Sequence, residues 1–133
     1  MDMWQVRRPF WWGLVLLMDR DTPDVPSLTD SVISQSAEGL AVQVLHAQDV
    51  ELSGAEAGDV IPPAQVQIEV RIGEPPPAEV LFSGAIDVPS GILTVGDAEQ
   101  EDALEISPGR WAVQVDCAPP EFAETVRVWL QAL

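Results

Sequence analysis

The residues of this 133-residue chain with the clearest chemical potential are carboxylates, gathered in two runs, neither of which contains a cation. The denser run is Gly96-Asp97-Ala98-Glu99-Gln100-Glu101-Asp102, with Glu105 beyond it; the other comprises Asp49, Glu51, Glu56 and Asp59 on the polar stretch after His46. Asp97, Glu99 and Glu101 stand at positions 1, 3 and 5 of a calcium-loop spacing, where hard oxygens converge on one ion. The rest of such a loop is missing. Asp102 occupies position 6, where a glycine makes the sharp turn, and Pro108 occupies position 12, where a bidentate glutamate belongs. The run therefore reads as a solvated hairpin tip, and neither a metal nor a cofactor is expected.

Nucleophilic chemistry has little to work with. His46 is the one histidine, no Gly-x-Ser-x-Gly elbow occurs, and Ser83 and Ser90 sit in strand-end turns. Cys117 alternates in phase with Trp111, Val113 and Val115, which turns it inward as a small hydrophobe with an inert thiol. Enzymatic activity is not expected. Gly-rich phosphate loops and basic stripes interleaved with aromatics are also missing.

The charge balance points the same way. Twenty-two acidic residues against six basic ones, all arginine, leave a net charge of −16. Between Asp21 and Gly109 the chain holds seventeen carboxylates and one cation, Arg71. Such a surface repels nucleic acid and anionic membranes and attracts a basic protein, because summed charge of one sign steers oppositely charged partners. A GC-rich genome or a salt-adapted proteome would produce a similar bias without any partner.

A mass of 14.4 kDa and 47% apolar residues describe one folded domain spanning 1–133. A single cysteine allows no internal disulfide, which favours a cytoplasmic setting. Arg7-Arg8-Pro9-Phe10-Trp11-Trp12 has the look of a twin-arginine export signal. The apolar run that follows, 10–18, is far short of the roughly 20 residues a membrane helix needs. Asp19-Arg20-Asp21 then stands where small residues should mark a cleavage site, so a turn followed by a buried strand is expected.

The elements that must position these residues follow period 2 rather than 3.6. Val66, Ile68, Val70 and Ile72 alternate with Gln67, Glu69 and Arg71; Val126, Val128 and Leu130 alternate with Arg127, Trp129 and Gln131. The set around Trp111–Cys117 and that of Leu40, Val42 and Val44 complete four clear strands. Weaker candidates are 4–8, 14–18, 31–36, 80–88, 92–95 and 104–106. Pro and Gly turns recur between them, and Pro75-Pro76-Pro77 reads as a connection across the sandwich. The expected fold is all-β: a single-domain β-sandwich of about ten short, mostly antiparallel strands. Trp111 belongs to the core. Trp129 lies on the opposite face from Val126, Val128 and Leu130, where it could anchor a partner, and Trp4 and Trp12 are further outward candidates.

One family resemblance adds to this. Phe82-Ser83-Gly84, Val88-Pro89-Ser90-Gly91, Leu93-Thr94-Val95, Leu104-Glu105-Ile106, Pro108-Gly109-Arg110-Trp111, Val113-Gln114-Val115 and Val126-Arg127-Val128-Trp129-Leu130 form a strand, hairpin and Pro-Gly-Arg-aromatic turn before a final Trp-bearing strand. In this the C-terminal half resembles bacterial β-sandwich proteins related to competence protein J. The resemblance implies a small acidic protein that binds and inhibits a nuclease. The expected function is accordingly an acidic immunity or inhibitor module for a basic partner such as a nuclease or toxin domain. Its carboxylates would imitate substrate phosphates at a cationic cleft. Asp97, Glu99, Glu101 and Asp102 are the expected contacts, with Asp49, Glu51, Glu56 and Asp59 as a second patch. The alternative is an accessory subunit of a bacterial complex, assembling through exposed tryptophans around Trp129.

Overall fold

A computed structural model describes residues 2–50, 56, 58 and 60–133. Ten strands run in chain order: β1 (Asp2–Arg8), β2 (Leu14–Asp19), β3 (Ile33–Ser36), β4 (Gly39–Gln43), β5 (Val66–Ile72), β6 (Phe82–Val88), β7 (Ile92–Gly96), β8 (Glu101–Glu105), β9 (Gly109–Ala118) and β10 (Thr125–Ala132). They form two five-stranded sheets, ordered β1-β5-β10-β9-β6 and β3-β4-β2-β7-β8. Every pairing is antiparallel except β5 with β10.

Alternation decides which face of each strand goes inward. Val66, Ile68 and Val70 on β5, Val113 and Val115 on β9, and Val126, Val128 and Leu130 on β10 are fully buried. They meet Val15, Leu17, Leu40, Val42, Leu93 and Val95 from the other sheet in one hydrophobic core. Each such side chain contributes about 1.5–3 kcal/mol relative to exposure, so the in-phase sets outweigh any single polar contact. Asp19 supplies the main polar tie. Though 1% exposed, it accepts hydrogen bonds from Ser90 N (3.0 Å), Ser90 Oγ (2.6 Å) and Asp21 N (3.1 Å), which pins the end of β2 to the β6–β7 turn.

Cys117 is buried, as its phase requires. Burial, aided by the neighbouring Asp116 charge, pushes its thiol up to about 11 from 9.0. Between those values an unfolded chain ionises its thiol while the folded one keeps the proton. Stability should therefore fall as pH rises from about 9 to 11, and Cys117→Ala should flatten that part of the urea-midpoint profile. An equal slope in wild type and variant would show the thiol to be uninvolved.

Three expectations need correction. Trp129 does not face solvent: it is 5% exposed. It lies on the outer face of the first sheet between Arg71 on β5 and Gln114 on β9, and Arg71 Nε and Gln114 Oε1 are buried beside it. The connection 73–81 closes this face, because it must pass β10 and β9 to carry the chain from β5 to β6; Gln131 Nε2 on β10 donates to Glu74 O at 3.2 Å. The proline run it contains thus stays on one sheet instead of crossing between the two. The third correction concerns β8, which begins at Glu101 rather than Leu104. That shortens the acidic hairpin tip to 97–100 and puts Glu101 and Asp102 on a strand.

Candidate functional site

Strand register brings several connections to one end of the sandwich. Arg8 pairs with Val66, Leu14 with Gln43, and Thr125 with Ala118. The β1–β2 turn, the chain leaving β4, the chain entering β5 and the β9–β10 loop therefore share that end. Gly96 pairs with Leu16 and Glu101, so the β7–β8 tip points the same way. The carboxylates of that tip and Asp49 of the other run consequently share one loop end.

Local chemistry explains the shape of this end. Phe10 is fully buried, and its carbonyl accepts hydrogen bonds from Gly13 N and Ala47 N, each at 3.1 Å. Anchoring Phe10 inward leaves the next two residues of the turn outside: Trp11 is 45% and Trp12 61% exposed. Gly13 completes the turn at φ 61°, and a Cβ there would press on His46 Cδ2 at 3.3 Å. Val44 N donates to Gly13 O (3.0 Å), and Leu45 N donates to Ala123 O (3.0 Å), which ties the β9–β10 loop to the same place. On that loop Phe122 adopts φ 53° and is 67% exposed. A bulky residue in left-handed backbone is uncommon and costs of order 1 kcal/mol or more.

Between these segments lies a cleft of about 400 Å³, lined by Gly13, Asp30, Val32, Gln43, Val44, His46, Asp49, Glu121 and Phe122. Asp30, Asp49 and Glu121 are exposed, and among the described residues no arginine lines the cleft. His46 Nδ1 accepts a hydrogen bond from Gln48 N at 3.0 Å, which leaves only Nε2 to donate. Three carboxylates beside an apolar wall suit the arrangement to holding a cation. A shallower groove of about 220 Å³ runs beside it between Trp11, Val50, Ile61 and Pro62.

The expected contact residues divide into three sets. Asp49 lines the cleft, and Glu99 at the neighbouring tip and Glu101 at the start of β8 are exposed. Glu56 is exposed on the connection after β4; Glu51 and Asp59 lie outside the described residues. Asp97 and Asp102 do not protrude. Asp97 is 7% exposed, and its Oδ1 accepts from Glu99 N and Gln100 N, both at 3.0 Å, so it shapes the turn. Asp102 shares the inward phase of Leu104 and meets Arg8, whose Nη1 lies 3.1 Å from Asp102 Oδ2. Arg8 Nη2 also reaches Gln100 O (3.1 Å) and Val95 O (3.4 Å). The tip thus has a cation after all, drawn from the far end of the chain.

Asp30, Glu121, Phe122, Trp11 and Trp12 are functional candidates that the acidic runs do not reveal. Glu121-Phe122 follows Pro119-Pro120 and Trp11-Trp12 precedes Gly13, so each aromatic sits at a turn signal. Asp30 carries no comparable mark.

No protein-family profile and no curated protein sequence matches the chain. Two solved structures are similar to it in fold. One is that of ComJ from Bacillus subtilis, described as an inhibitor of the DNA degrading activity of NucA; it aligns over 99% of this chain and 98% of its own, with a TM-score of 0.60 and 11% identity. The other, described as crocagin biosynthetic gene J, aligns over 96% of both chains with a TM-score of 0.55 and 13% identity. The likeness covers the N-terminal half as well as the C-terminal half in which the sequence motifs lie.

Proposed function

We propose that the protein is an inhibitor or immunity module whose loop end caps the cationic cleft of a basic partner, with a nuclease as the partner class. One observation carries this reading: Asp49, Glu99 and Glu101, distant in sequence, share an end of the sandwich with Asp30 and Glu121, and Trp11, Trp12 and Phe122 stand exposed among them. Carboxylates there would meet the residues that bind substrate phosphates and speed encounter. The aromatics would supply the desolvated anchors that electrostatics alone lacks. The ComJ-like fold supports the same assignment, since that protein inhibits a nuclease.

The direct experiment titrates the purified protein into DNA-degradation assays of small basic nucleases, starting with NucA and with any toxin-like protein encoded beside this chain. Stoichiometric inhibition that weakens from about 50 to 500 mM salt is expected, given a Debye length shrinking from roughly 14 to 4 Å. Absence of inhibition across the panel, or inhibition indifferent to salt, would overturn the proposal.

A further inference from the structure

Resting on that reading, and narrowing it to one contact, we infer that the cleft between the β1–β2 turn and the β9–β10 loop is a receptor for an arginine side chain of the partner protein. Carboxylates on an open surface would only raise the local concentration of cations. Here Asp30, Asp49 and Glu121 line a half-open cleft of about 400 Å³ from three separate segments, and the exposed Phe122 lines it with them. That volume lies near the lower end of pockets that enclose small ligands. Val32, Val44 and Gly13 form an apolar lining suited to a methylene stem.

Arginine fits this combination better than lysine. Its guanidinium is flat, weakly hydrated and forked, so it can stack on a phenyl ring while donating to carboxylates at its edge. An ammonium must give up a tighter hydration shell and gains less from the ring face. A metal ion is the poorer occupant: among the described residues no group of three His, Cys, Asp or Glu side chains converges to hold one.

The test uses the full chain and a single-residue probe. N-acetyl-arginine methylamide is titrated against the 15N-labelled protein at constant chloride, with N-acetyl-lysine methylamide and N-acetyl-glutamine methylamide in parallel. Saturable shifts confined to Gly13, Val32, Val44, His46, Asp49 and Phe122 are expected from arginine, with lysine at least about threefold weaker and glutamine inactive. Phe122→Gly suits the left-handed backbone and so preserves the fold; it should weaken arginine binding about fivefold, and Asp30→Asn with Glu121→Gln by at least as much. Absence of saturation, equal binding of lysine and arginine, or unchanged affinity in Phe122→Gly would overturn the assignment. Because this readout needs no nuclease, arginine binding without inhibition would leave the cleft standing and remove the inhibitor reading. Undiminished inhibition by Phe122→Gly would do the reverse.

Discussion

Alanine in place of Arg8 is expected to lower the stability of the fold by about 2–3 kcal/mol, a large fraction of the margin of a domain this size. The side chain is 8% exposed and joins β1 of one sheet to the β7–β8 hairpin of the other through Asp102 and the carbonyls of Gln100 and Val95. Its guanidinium also lies 5.4 Å from the centre of the buried Phe10 ring. Truncation strands these acceptors and opens a void, whereas Asp102, whose side chain is 36% exposed, recovers part of its solvation from water. That partial exposure keeps the figure below the full penalty for breaking a buried pair. Arg8→Lys should lose roughly half as much, since an ammonium can reach Asp102 but cannot fork to both carbonyls. Urea midpoints at constant m-value read the effect. A change under about 0.5 kcal/mol for Arg8→Ala would mean that the contact is a surface ion pair of the ordinary, weak kind.

Reversing Asp49, Glu99, Glu101 and Glu121 to lysine together is expected to lower affinity for a basic partner at least about 100-fold, from losses near 0.7 kcal/mol at each exposed site. All four are exposed, and among the described residues none of their side chains makes a hydrogen bond or ion pair, so the fold should persist. The informative comparison is a second quadruple reversal at Asp2, Asp21, Asp24 and Glu105, which are exposed but lie away from the loop end. Both sets change net charge by eight units. Long-range steering responds to total charge, so the remote set should slow association several-fold at low salt. A contact surface responds to position, so only the loop-end set should raise the dissociation rate. Equal losses from the two sets would reduce the acidity to a bulk property, as a compositional bias requires.

The fold was largely legible in the residues themselves. A strand's side chains alternate with period 2 whatever it pairs with, so Val66, Ile68 and Val70, or Trp111, Val113, Val115 and Cys117, declare their buried face locally. Pro and Gly turns mark the intervals, and together these signals determined an all-β sandwich with Cys117 inside. The site was legible only in part. Asp49, Glu99 and Glu101 stand out as carboxylates on polar connections, and they are exposed.

The remainder depended on pairings that no local pattern encodes. Trp129 alternates as an outward residue and does lie on the outer face, yet the connection 73–81 covers that face. Asp102 looked like part of an unneutralised acidic loop until β1 and β8, ninety-four positions apart at Arg8 and Asp102, came together at the edges of facing sheets. Asp30, Glu121 and Phe122 become one cleft with Asp49 through the bridge of Val44 to Ala123 and the turn at Gly13. What the sequence by itself determined is therefore which residues are strand, core or carboxylate-rich loop, because those properties arise from neighbours along the chain. Which loops share an end, and which carboxylates remain free to meet a partner, only the tertiary structure decided, because strand order and register are settled by the packing of whole sheets.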